Sequence, residues 1–143
     1  MRLKRRKQAS LSSLKKKAWS MLSVLIRRAA SDRNGNVICY TCGTINQWNR
    51  GMQAGHAIGG RHNAVLWDES IIRPQCYRCN VPLRGNYPVF TLKLINEHSA
   101  EWFEKKLNDS HNIVKWTTAD MKEKIKGYEQ RLKMFSSFDK GLE

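Results

Sequence analysis

Apolar residues at Leu11, Leu14, Ala18, Leu22, Leu25 and Ala29 recur every three or four positions, with lysines and serines between them. That spacing predicts a helix with one apolar face. Asp32-Arg33-Asn34-Gly35-Asn36 reads as a turn, and residues 37–40 as a short strand. Glycines at 43, 51, 55, 59 and 60 break up the next stretch. Short β-like runs at 52–58 and 64–67 within it predict a hairpin or a pair of loops. Pro82, Gly85, Asn86 and Pro88 mark another turn, and Pro88 suits the first turn of a helix. Val89, Leu92, Ile95, Trp102 and Phe103 would carry that helix to about Leu107. Residues 108–116 read as a linker with a short extended piece at 113–116. Thr117-x-x-Asp120 has the form of a capping box, with Asp in place of Glu. Met121, Ile125, Tyr128, Leu132 and Phe135 then step by four, three, four and three residues. This is the seam of a helix seeking a partner, either the rest of the domain or another chain.

With 143 residues and 41% hydrophobic content, the chain has room for one modest core. Charge adds more. Lys and Arg number 26 against 12 Asp and Glu, a net charge of +14, and such an excess marks a polyanion partner. It is also uneven, because no acidic residue precedes Asp32. Arg2, Lys4, Arg5, Arg6, Lys7, Lys15, Lys16, Lys17, Arg27 and Arg28 all lie in that first stretch, as candidate phosphate contacts. Residues 1–9 are expected to form a basic arm, disordered until it meets phosphate. A single domain with helical extensions follows over residues 10–143. The apolar run at 18–26 is interrupted by Ser20 and Ser23 and closes on Arg27-Arg28, which suits an amphipathic helix better than a secretory signal. No stretch is long enough to span a membrane, so the expected location is the cytoplasm.

The four cysteines form two pairs, Cys39-x-x-Cys42 and Cys76-x-x-Cys79, with 33 residues between them. Thiolates are soft ligands, and four of them satisfy zinc's tetrahedral preference. Two disulfides or four unrelated buried cysteines are the competing readings, but every cysteine belongs to a C-x-x-C pair, the pattern of a metal site. A zinc saturated by four sulfurs has no open position, which makes it structural.

Between the pairs lies Ala54-Gly55-His56-Ala57-Ile58, and directly on the second pair lies Asn80. A histidine beside a metal with oxygen or amide ligands is suited to activating water against a phosphodiester. The order C-x-x-C, G-H, W-D-E, P-Q-C-x-x-C-N and G-N resembles the NinG/Rap family of phage recombination proteins. That family falls within the HNH (ββα-metal, treble-clef) endonucleases. Leu14-Lys15-Lys16-Lys17 and Val114-Lys115-Trp116-Thr117 extend the likeness over roughly residues 11–135.

The resemblance implies a structure-specific endonuclease acting on D-loops and Holliday junctions in the bacterial host cytoplasm. His56 matches the general base, and Asn80 matches a ligand of a catalytic Mg²⁺ or Mn²⁺. Gly55 stands where many HNH sites have a metal-binding Asp, leaving Asp68, His62 or Asn86 as further ligand candidates. Ile71 aligns with the middle Asn of the pattern, which normally braces the histidine loop. Arg61, beside His62, is a further candidate phosphate contact. Trp48, next to Asn49-Arg50, is the tryptophan best placed by sequence for base stacking, whereas His98 and His111 read as surface or helix residues.

The expected fold is α+β: a zinc-braced ββα-metal, treble-clef, HNH-like core with a basic N-terminal helix and two C-terminal helices. The expected partner is DNA, in branched form, with no membrane. Symmetric cutting of a junction would need two active sites, so a homodimer is a further expectation. Two other classes compete with the enzyme. One is a non-catalytic zinc DNA-binding accessory of recombination or replication, and the other is an RNA- or ribosome-associated zinc ribbon.

Overall fold

A computed structural model describes residues 6–59 and 63–140, with side chains through residue 137 outside that gap. The fold is mixed α and β, with five helices and two small antiparallel sheets among the described residues. It divides into two compact units, with one boundary inside the first helix and the other before Trp116.

The first unit holds the start of α1 (Leu11–Ala29) and all of α5 (Thr118–Lys140). Ser10 caps α1 by accepting from Ser13 N–H at 3.2 Å. Leu14, Ala18 and Leu22 are buried along the predicted stripe. At α5 the capping box is complete: Asp120 accepts from Thr117 N–H and Oγ1, each at 2.8 Å, while Thr117 Oγ1 accepts from Asp120 N–H at 3.1 Å. Met121, Ile125 and Tyr128 are buried on the α5 seam, and Lys17 Nζ lies 3.9 Å from Glu129.

The second unit carries the chemistry. β1 (Asn36–Ile38) pairs antiparallel with β2 (Ile45–Gln47), and β3 (Met52–His56) with β4 (Ile72–Cys76). α2 (Tyr77–Asn80) starts directly from β4, so that β3, β4 and α2 make a compact β-β-α unit. α3 (Tyr87–Glu97) and α4 (Ala100–Ser110) follow. Ile71, Ile72, Phe90 and Leu94 are fully buried in this unit, and Val37 is buried in a cluster with Cys39, Met52, Cys76 and Cys79.

Three expectations change. The helix predicted to run unbroken from Pro88 to Leu107 is two helices, so three helices follow α2 and not two. His98 leaves helical geometry, and the Ser99 side chain caps α4 by accepting from Trp102 N–H at 3.0 Å. Apolar periodicity alone runs across such a break. The run at 64–67 is not β: Asn63–Val65 is a 3-10 turn, and the true partner of β3 is β4. The linker expected at 108–116 starts later, because α4 runs on through Ser110 and leaves residues 111–117 outside any helix or strand. Among the described residues, no helix is long and apolar enough to cross a membrane.

Candidate metal centre and active site

The first cysteine pair sits where β1 turns into β2. Cys39 N–H donates to Thr44 O at 2.8 Å and Gly43 N–H to Cys39 O at 3.0 Å, closing a tight loop that needs Gly43 at φ +79°. The second pair sits where β4 becomes α2, with Cys76 as the residue before the helix and Cys79 within it. The two loops are tied together by Tyr40 N–H donating to Pro74 O at 2.9 Å.

All four Sγ atoms lie within 4.8 Å of one another, and Cys42 Sγ is 3.7 Å from Cys76 Sγ. A tetrahedral zinc with bonds of about 2.3 Å sets its sulfurs about 3.8 Å apart, so this cluster fits that ion. The four cysteines could therefore coordinate one structural zinc. Cys39, Cys76 and Cys79 are buried and Cys42 is exposed. Burial, with the sulfurs of Cys42, Cys79 and Cys39 beside it, pushes the Cys76 thiol up to about 12. At Cys39 burial opposes the thiolate, but hydrogen bonds from Thr41 and backbone N–H groups outweigh it and bring the thiol down to about 6. A dication at the centre would favour the thiolate at all four. Asn86 reaches the same cluster as a donor, its Nδ2 lying 3.7 Å from Cys79 Sγ.

His56 ends β3, and its ring Nε2 is 2.9 Å from the Leu66 carbonyl. A carbonyl only accepts, so Nε2 carries the proton and Nδ1 is the basic nitrogen. Burial lowers the His56 pKa from its ordinary 6.5, with the Leu66 contact opposing. The imidazole is thus neutral at pH 7, as a base must be.

Asn80, at the end of α2, donates from Nδ2 to Gln53 Oε1 at 2.7 Å. That bond fixes the flip of the amide and turns Oδ1 toward Gly55, the neighbour of His56: a Cβ on Gly55 would stand 3.0 Å from it. The same Cβ would collide with Gln75 Oε1. Gln75 is fully buried, donating to Gly85 O at 2.8 Å and to Thr41 Oγ1 at 3.0 Å. Only glycine at position 55 leaves room for the two amides, so the structure brings Gly55, Gln75 and Asn80 together on the β3–β4 pair, with His56 next to Gly55 in the strand.

The other sequence candidates are placed differently. Asp68 caps the 3-10 turn Glu69–Ile71, accepting from Ser70 N–H at 3.1 Å and Ser70 Oγ at 2.5 Å, and pairs with Lys106 Nζ at 2.6 Å. Burial opposes its charge, but these donors hold its carboxyl below the usual range. Ile71 is wholly buried, its carbonyl accepting from Ala57 N–H at 2.8 Å. Trp48 packs on the cysteine side of the core. Arg28 and Arg27 stand 5.0 and 5.9 Å from its ring centroid, and Arg27 Nη1 donates to its carbonyl at 2.7 Å. Both arginines thus turn onto a tryptophan, and Trp48 serves as their platform. Lys16 and Lys17 are exposed on α1 and Lys15 is half-buried; Arg6 and Lys7 are exposed ahead of it. Arg2, Lys4, Arg5, Arg61 and His62 lie outside the described residues.

Sequence reading missed the roles of Gln53, the Leu66 carbonyl and Lys106. Gln75 alone left a signal, as a polar residue in an otherwise apolar strand directly before a cysteine.

The family model described as "Bacteriophage Lambda NinG protein" matches residues 1–137. "Protein ninG" of Escherichia phage lambda and that of Salmonella phage P22 are each 28% identical over 120 residues, covering 82% of this chain and 55% of each relative. The chain therefore spans about half the length of these curated relatives. No solved structure matches it.

Proposed function

The chain belongs to the NinG family, and from that premise we propose that it is a metal-dependent endonuclease of branched recombination intermediates, such as D-loops and Holliday junctions. The motif resemblance that suggested this family suggests an HNH-like, treble-clef core as well. The β3–β4–α2 unit, with His56 on its first strand and Cys76 and Cys79 at the β4–α2 junction facing the Cys39–Cys42 turn, supports that reading.

The observation that carries it is the setting of His56. The ring is neutral, its Nε2 is held 2.9 Å from the Leu66 carbonyl, and it follows the glycine over which Asn80 Oδ1 is turned. In the HNH pattern an asparagine braces the histidine loop. Here Ile71 fills that place in the core, and the backbone of Leu66 supplies the brace.

The chemistry is hydrolysis. His56 Nδ1 accepts a proton as a water oxygen attacks phosphorus, and the phosphodiester bond to the leaving oxygen breaks. A divalent ion, Mg²⁺ or Mn²⁺, would polarise the phosphate and offset charge on the leaving oxygen. Asn80 Oδ1 is the protein atom that would hold it. Its partner nitrogen is committed to Gln53, and an amide oxygen suits a hard cation. Zinc in the four-cysteine cluster is structural in this scheme. Exposed Arg6, Lys7, Lys16 and Lys17 neutralise DNA phosphates, in the cytoplasm of a bacterial host.

A second reading has one observation in its favour. Among the described residues, the cysteines are the sole cluster of three or more histidine, cysteine or acidic groups able to hold a metal. A zinc-bearing DNA-binding accessory without catalysis would need nothing more. Incubation with four-way, D-loop and linear DNA in Mg²⁺ or Mn²⁺ separates the two. Cutting confined to branched substrates, weakened by Asn80→Ala and partly restored by extra divalent ion, supports the nuclease. Binding without cutting under every condition leaves the accessory.

A further inference from the structure

Directly after Asn80 the chain exposes Val81, Pro82, Leu83 and Arg84 in succession, while Gly85 behind them is buried. Val81 and Leu83 are 46% and 44% exposed, a large fraction for aliphatic side chains in so short a segment. The segment is pinned at every step. Leu83 N–H donates to Arg78 O at 3.0 Å, Arg84 N–H to Val81 O at 3.0 Å and Asn86 N–H to Leu83 O at 2.9 Å. Gly85 is held on both sides, its N–H by Cys79 O at 2.8 Å and its carbonyl by Gln75 Nε2 at 2.8 Å. Arg84 adopts φ +51°, a costly conformation for a side chain with a Cβ, kept by these surrounding bonds.

A rigid apolar tip this close to the site could meet protein, lipid or nucleic acid, and charge chooses among them. No acidic residue lies between Glu69 and Glu97, whereas Arg73, Arg78, Arg84 and Lys93 do. Arg78 and Arg84 are exposed on either side of the apolar residues. An apolar point flanked by cations matches nucleic acid that offers both phosphate and an opened base step.

We propose that residues 81–84 form a wedge that enters the opened base step at a DNA branch, with Leu83 as the inserted side chain and Arg78 and Arg84 on the flanking phosphates. Seated there, the wedge brings the neighbouring Asn80 to the branch, so that strand opening and cutting share one loop. In fully paired DNA the same insertion must first unstack a base step; a branch has already lost that stacking. The wedge rests on the reading that branched DNA is the partner, but not on catalysis.

The test uses the full zinc-loaded chain without Mg²⁺ or Mn²⁺, a four-way junction carrying 2-aminopurine at its centre, and a linear duplex. The wild-type chain should raise the fluorescence and prefer the junction. Leu83→Ser should keep its zinc and its linear-duplex affinity and lose the fluorescence rise. Its junction preference should fall about tenfold, the consequence of no longer burying one leucine side chain. Leu83→Phe should keep both signals. A Leu83→Ser chain whose fluorescence rise and preference are unchanged overturns the wedge, as does equal weakening on both DNAs. A wild-type chain that inserts but never cuts once Mg²⁺ or Mn²⁺ is added leaves the wedge standing and removes only the nuclease. A chain that binds neither DNA overturns both.

Discussion

Gly55→Ala tests the packing that defines the site. The Gly55 backbone lies outside the left-handed region, so alanine meets no conformational obstacle and would even gain about 0.5–1 kcal/mol in chain entropy. The obstacle is space. Its Cβ would collide with Gln75 Oε1 and lie 2.8 Å from Cδ and 3.0 Å from Asn80 Oδ1. Gln75 cannot swing away without releasing Gly85 O and Thr41 Oγ1. Overpacking of this kind costs about 1–3 kcal/mol, and one released buried hydrogen bond adds about 1 kcal/mol. After the entropy gain, the net loss should be about 1–3 kcal/mol in urea unfolding of the zinc-loaded chain. Gln75→Ala is also destabilising, because it leaves Gly85 O unpaired. In that background, however, the penalty of Gly55→Ala should almost vanish, giving a coupling of about 1–3 kcal/mol in the double-mutant cycle. An equal penalty in both backgrounds would refute the packing argument.

Because burial lowers the His56 pKa from 6.5, cutting should rise with pH through a midpoint below that value and then level off; a midpoint above it would contradict the burial. The same shift contributes stability that is present above the unfolded pKa and lost as pH falls through the folded one, so unfolding should ease on acidification below about 6.5, as thermal melts would show. Removing zinc with a chelator should collapse the 23–115 unit cooperatively, and re-addition should restore its near-UV circular dichroism, because metal binding there is folding energy. Asp68→Asn loosens the largely buried Lys106 pair and should cost about 1 kcal/mol or more. It should leave the divalent-ion requirement of cutting unchanged; a markedly higher requirement would make Asp68 a ligand.

What the sequence shows depends on how local each cause is. The α1 stripe is legible because Leu14, Ala18, Leu22 and Leu25 sit a turn apart and are all buried. The capping box at Thr117 spans three residues and needs no tertiary information. The cysteine pairs are legible because ligand type and spacing reflect the demands of the ion. β4 is not, since Ile72-Arg73-Pro74-Gln75-Cys76 lacks alternation and contains a proline, yet it pairs along its whole length with β3. The break at Ser99 hides because the apolar residues on both sides continue in register. The bonds that orient the site are least legible of all. Gln53 holds Asn80 from 27 positions away, and Leu66 holds His56 through a backbone oxygen that every residue possesses. Identity at position 66 carries no trace of that role.

The proposed nuclease requires that His56 act on a proton and not on the fold. The direct measurement is single-turnover cutting of a four-way junction in Mg²⁺ by the wild-type chain and by His56→Ala, with zinc content and junction affinity measured on both. The wild-type chain should cut, and His56→Ala should lose at least about a hundredfold in rate, the scale of a missing general base, with zinc content and affinity nearly unchanged. A His56→Ala chain that cuts at the wild-type rate, or a wild-type chain that binds the junction and never cuts it, contradicts the account.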